Sequence, residues 1–141
     1  MRKLILYLVF SLTLCAIIYS CQNESEIAFT SYLTNGKEIY KTNCQNCHGE
    51  KGEGLGLLAP PLTDSVFLQQ NKSELACLIK NGSNKPMIIN GKTYEGKMPA
   101  FKTLEDIEIA QLIVYITNSF GHKQGMYTYK EVNENLKKCN P

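Results

Sequence analysis

The chain has 141 residues, 43% of them hydrophobic and 20% charged, which is room for one domain with an extension and too ordinary a composition for a largely disordered chain. Its net charge of +2 is carried by Arg2 and Lys3; beyond them 13 lysines balance 13 acidic residues. A strongly basic face, which nucleic-acid binding requires, is therefore excluded. Arg2 and Lys3 are followed by an almost unbroken apolar run to Tyr19. A basic n-region before an apolar h-region reads as a secretion signal over residues 1–20. The run is short of the ~20 apolar residues that a membrane span needs.

The apolar run ends at Ile18-Tyr19-Ser20-Cys21 and turns polar at once. A small residue directly before a cysteine, after such a run, resembles the lipobox of bacterial lipoproteins. That resemblance implies diacylation of Cys21, which then becomes the N-terminus and holds the chain at a membrane surface, two acyl chains being enough for stable anchoring. Ordinary signal cleavage and an uncleaved anchor are the other two readings. All three put the domain outside the cytoplasm, and the lipoprotein reading gives the periplasmic side of a bacterial membrane.

Residues 21–32 read as a polar tether. A short helix is expected over 35–43. Residues 49–61 carry four glycines and two prolines and must be loop. Residues 71–81 read as a helix with Leu75, Leu78 and Ile79 on one face and Gly82 as its stop. In residues 87–94, Asn90-Gly91 between two β-prone runs signals a hairpin. Thr103 and Asp106 resemble a capping box opening a helix over 104–118, with Ile109, Leu112, Ile113 and Ile116 as its buried stripe and Gly121 as its end. Thr128 and Glu131 form a second capping box, which starts a last helix running to about residue 138.

Chemistry concentrates at Cys44-Gln45-Asn46-Cys47-His48. Three readings compete for it. A structural zinc site needs four ligands; the motif supplies three, and His122 is the one other histidine. A redox dithiol needs a βαβ setting, which the glycine-rich loop after the motif does not offer. The third reading is c-type haem attachment, with two thiols for the two vinyl groups and an imidazole for the iron. It requires a second axial ligand downstream, and Met98-Pro99 stands there.

With those residues the chain resembles class I cytochromes c. In that family a Met-Pro pair before the C-terminal helix supplies the sixth ligand, here Met98. The family's glycine and aromatic before the first cysteine match Gly36 and Tyr40, and its Leu and aromatic on the C-terminal helix match Leu112 and Tyr115. Its proline carbonyl that accepts the imidazole Nδ1–H matches Pro60, and its buried leucine matches Leu62. The resemblance covers about residues 33–121. It implies an all-α cytochrome c fold of three to five short helices around one covalent haem c, with a small β-hairpin before the methionine loop. An extra C-terminal helix then occupies residues 122–141. Met87, Met126 and His122 remain other conceivable iron ligands.

Cys77 and Cys139 are the pair left over in an oxidising compartment. They are either two unrelated residues or a disulfide pinning the last helix to the helix at 71–81. Lys37, Lys41, Lys51, Lys92, Lys97, Lys102 and Lys123 either steer docking to an acidic redox partner or serve solubility alone.

The function implied is that of a single-electron carrier, not an enzyme. It passes electrons to or from an oxidase, a quinol-oxidising complex or a periplasmic dehydrogenase or reductase. The alternatives are a five-coordinate haem enzyme or gas sensor, and a fixed cytochrome subunit of a larger oxidase or dehydrogenase complex.

Overall fold

The computed structural model describes residues 2–139, apart from the side chains of residues 18–23. The expected lipidation site, Cys21, lies outside the described side chains. The chain divides into two units, Met1–Ser31 and Tyr32–Pro141.

The helices are α1 (Arg2–Asn43), α2 (Gln45–His48), α3 (Ser65–Gln70), α4 (Lys72–Asn81), α5 (Asp106–Asn118) and α6 (Tyr129–Leu136). The strands β1 (Met87–Ile89) and β2 (Lys92–Tyr94) form an antiparallel hairpin that pairs Met87 with Tyr94 and Ile89 with Lys92. The fold is all-α with one small hairpin.

Three elements differ from expectation. α1 is far longer than a helix over 35–43, and residues 24–32, read as part of a tether, are helical within it. No glycine or proline occurs before Gly36, so nothing local stops the helix. α3 is a separate helix that the sequence pattern does not signal, capped by Asp64, whose Oδ1 accepts the Phe67 N–H at 3.0 Å. α5 begins two residues late. Its cap is Glu105, not Thr103, and its box partner is Glu108, which accepts the Glu105 N–H at 2.8 Å. α5 ends at Asn118, ahead of Gly121.

In the first unit, Leu4, Tyr7, Phe10, Leu14 and Ile17 are all exposed. Among the described residues no helix is long and apolar enough to cross a membrane.

The core of the second unit is α5. Ile109, Leu112, Ile113, Val114 and Ile116 are buried, and α3, α4 and α6 pack against this helix with Leu68, Leu75, Ile79 and Val132 buried. Gly36 of α1 lets the α5 backbone approach: a Cβ there would stand 2.0 Å from the Gln111 carbonyl oxygen. Beside it, Tyr40 and Tyr115 meet at 5.3 Å between ring centroids, and Phe120 closes the cluster at 5.4 Å from Tyr40.

α6 is fastened from three sides. Its capping box joins Thr128 and Glu131, Asn133 Nδ2 donates to Asp106 Oδ2 at 2.8 Å, and a disulfide links Cys139 to Cys77 of α4 with their Cα atoms 5.6 Å apart. The bridge spans 62 residues of sequence, so it removes a large loop from the unfolded ensemble. Replacing both cysteines with alanine is expected to lower stability by about 4 kcal/mol. Urea unfolding checks this; an unchanged midpoint and slope would contradict it.

Candidate functional site

α1 ends at Asn43 and α2 begins at Gln45, with Cys44 between them as its N-cap residue. The Cys47 and His48 N–H groups donate to the Cys44 carbonyl at 3.1 and 2.9 Å. This single turn brings Cys44, Cys47 and His48 together, since residues three and four apart share a helix face. Gly49, at φ 80°, ends α2 and turns the chain away. Tyr40 supports the turn from behind, its hydroxyl donating to the Gly49 carbonyl at 2.5 Å.

Cys44 is buried and Cys47 exposed. Burial, with the neighbouring Cys47, pushes the Cys44 thiol up to about 12. The thiols that drive dithiol exchange are shifted the other way, downward. Among the described residues no group of three or more His, Cys, Asp or Glu is disposed to hold a metal ion.

His48 is partly buried, and burial lowers its imidazole pKa against the opposing effect of a backbone hydrogen bond. That bond is Nδ1–H to the Pro60 carbonyl at 2.9 Å. With the proton on Nδ1, the Nε2 lone pair is the one left to bind a metal.

The loop carrying Pro60 is held independently. Leu62 N–H donates to the Gly52 carbonyl at 2.8 Å, and Gly52 lies against the Phe120 ring, where a Cβ would come within 2.8 Å. Leu62, expected to be buried, is only partly so. Its carbonyl accepts from His122 Nε2–H at 2.7 Å. His122 is 6% exposed, and this bond occupies its Nε2 as a loop anchor. Sequence gave no sign of that bond, which joins residues 60 apart in the chain.

Met98 follows the hairpin, four residues after the end of β2. It exchanges two backbone hydrogen bonds with Ser83, each 2.9 Å, just past the end of α4. The following residues run along that helix end: Phe101 N–H donates to the Ile79 carbonyl at 3.1 Å, and Lys80 Nζ donates to the Leu104 carbonyl at 2.6 Å. Gly82 permits this contact, as a Cβ there would stand 2.4 Å from the Met98 carbonyl oxygen. Met87 lies in β1 and Met126 between α5 and α6, both partly exposed.

The donor chemistry fits haem c: two thiols one turn apart, an imidazole with Nε2 available, and a loop-borne thioether. Leu55, Leu57 and Leu58 on the loop after the motif are 51, 63 and 64% exposed. Adjacent exposed leucines suit contact with an apolar macrocycle.

The family described as "Cytochrome C oxidase, cbb3-type, subunit III" matches residues 32–116. A CcoP subunit of cbb3-type cytochrome c oxidase from Azospirillum sp. (strain B510) is 34% identical over 112 residues, 74% of this chain and 34% of that subunit. Cytochrome c-552 of Thermus thermophilus is 28% identical over 100 residues, 68% of this chain and 76% of that protein. The cytochrome c subunit of a quinone alcohol dehydrogenase from Gluconobacter oxydans (strain 621H) is 30% identical over 89 residues, 62% of this chain and 18% of that subunit. The chain thus spans about a third of the length of the CcoP subunit it matches. It belongs to the family of c-type cytochromes that includes subunit III of cbb3-type oxidases, and its cofactor is covalent haem c.

Proposed function

We propose that this cytochrome is a single-electron carrier on the periplasmic side of a bacterial membrane. In this reading residues 1–20 are removed, lipid on Cys21 holds the chain, and residues 33–121 form the haem domain. Cys44 and Cys47 carry the two thioether bonds. His48 Nε2 and the Met98 thioether are the axial ligands. The observation that carries the ligand assignment is the His48 Nδ1–H bond to Pro60, which leaves Nε2 directed to metal chemistry.

Haem c in this site supplies reversible one-electron chemistry at iron. The chain's residues determine what kind. Two covalent attachments keep the group in place in an open compartment. Pro60 and the loop behind it hold the imidazole in one tautomer and orientation. A thioether from Met98 is a soft donor that favours the reduced state and raises the potential. If His48 and Met98 both held the iron, they would leave no place on it for oxygen or peroxide to react. The partners are other redox proteins, which the surface lysines meet electrostatically.

A second reading has support from the relatives. Two of them are subunits, of an oxidase and of a quinone alcohol dehydrogenase. The same domain would then transfer electrons as a fixed subunit of a larger complex.

The test is a potentiometric titration of the haem-loaded full chain with added hydrogen peroxide as a control. The expected result is one reversible one-electron step and no peroxide turnover. Sustained peroxide consumption would overturn the carrier reading in favour of an enzyme.

A further inference from the structure

The His48 and Met98 sides of the site are separate stretches of chain, and one contact zone joins them. Glu95 N–H, just past β2, donates to the Leu57 carbonyl at 3.1 Å. Next to it Gly96 lies so close to the other loop that a Cβ would stand 1.6 Å from the Leu58 carbonyl oxygen and 2.6 Å from its carbon. Both are backbone atoms, so no side chain can swing aside to make room. At the other end of the hairpin, Asn90 Nδ2 donates to Asp64 Oδ2. Asp64 is itself fixed, its other oxygen accepting the Phe67 N–H at the start of α3. Asn90 sits at φ 50°, a turn conformation that Asn and Asp tolerate.

The hairpin therefore meets the Pro60 loop at two points, and Met98 follows Gly96 by two residues. On its other side Met98 exchanges two main-chain bonds with Ser83. We propose that Gly96 and the Asp64–Asn90 pair form a clasp between the two loops, and that this clasp positions the Met98 thioether as sixth ligand. Gly96, Asp64 and Asn90 are positioning residues: they set the register of the segment that carries the donor. The proposal rests on the assignment of Met98 as a ligand.

Two variants open the clasp differently. Gly96→Ala forces the loops apart at their closest approach. Asn90→Asp keeps the turn and the α3 cap but sets carboxylate against carboxylate. The double variant Asp64→Asn, Asn90→Asp restores a donor–acceptor pair and keeps a good helix cap. The probe is carbon monoxide added to the reduced, haem-loaded full chain, with thermal unfolding followed in parallel.

Gly96→Ala and Asn90→Asp are expected to raise the carbon monoxide binding rate at least about tenfold, which for Asn90→Asp is the worth of one charge-assisted hydrogen bond. They should also weaken the sulfur-to-iron absorption of the oxidised form. The double variant should return both readings to within about twofold of the unaltered chain. If Asn90→Asp and Gly96→Ala remain folded and exclude carbon monoxide as the unaltered chain does, while Met98→Ala admits it, the clasp is overturned and the ligand assignment stands. If the unaltered chain and Met98→Ala bind carbon monoxide alike, both fall together. A lowered melting temperature without a change in carbon monoxide binding marks a purely structural contact and also overturns the proposal.

Discussion

Cys44→Ala combined with Cys47→Ala yields a chain whose haem leaves in acidic acetone and migrates free of the polypeptide on a denaturing gel. In the proposed reading Cys44 and Cys47 alone bond covalently to the group, so the change is from permanent attachment to ordinary affinity. Each single variant keeps one thioether bond and still carries haem stain. The substitutions themselves disturb little. The Cys47 side chain is exposed, and α2 is built from backbone bonds to the Cys44 carbonyl, which alanine also provides. The Cys44 side chain is buried but small, and most of the core of the second unit is made by α5 with α3, α4 and α6 packed on it. Haem staining after denaturing electrophoresis, read beside total protein, checks the prediction. Haem remaining bound to the double variant would mean that the attachment residues lie elsewhere.

Met98→Ala is expected to leave the fold standing and to change the iron. Its side chain is partly exposed, and its two bonds to Ser83 use main-chain atoms that alanine keeps. The stability loss should fall below the about 2–5 kcal/mol typical of truncating a buried methionine. The potential should fall by a sizeable part of the about 0.8 V over which axial ligands tune haem, because a soft donor to the reduced state is gone. The reduced variant should bind carbon monoxide. An unchanged potential would point to Met87 or Met126 instead.

Much of the site is legible in the sequence because its parts are local or conformationally demanding. Cys44 to His48 occupy one helical turn, so their spacing alone defines what they can hold. Asn90-Gly91 can reverse the chain because both residues sit at positive φ, at 50° and 73°. Gly36 and Tyr115, matched by resemblance alone, meet where α1 crosses α5.

Other parts leave no local pattern. α3, with six residues, is too short for a 3.6-residue period to register. Thr103 and Glu105 are both plausible caps, and the choice depends on which side chain reaches the third helical N–H. The His122 bond to Leu62 and the approach of Gly96 to Leu58 join residues far apart in the chain. A lone histidine and a lone glycine carry no mark of such partners. The extent of α1 was missed because polar residues after an apolar run suggest a linker, whereas a helix continues until something stops it.

The central claim is that two strong ligands close the iron. The most direct measurement is the absorption spectrum of the reduced, haem-loaded full chain with and without carbon monoxide. The account predicts a low-spin spectrum that carbon monoxide leaves unchanged. Immediate carbon monoxide binding would contradict it, since the sixth position would then be open or labile and the protein suited to ligand chemistry or sensing.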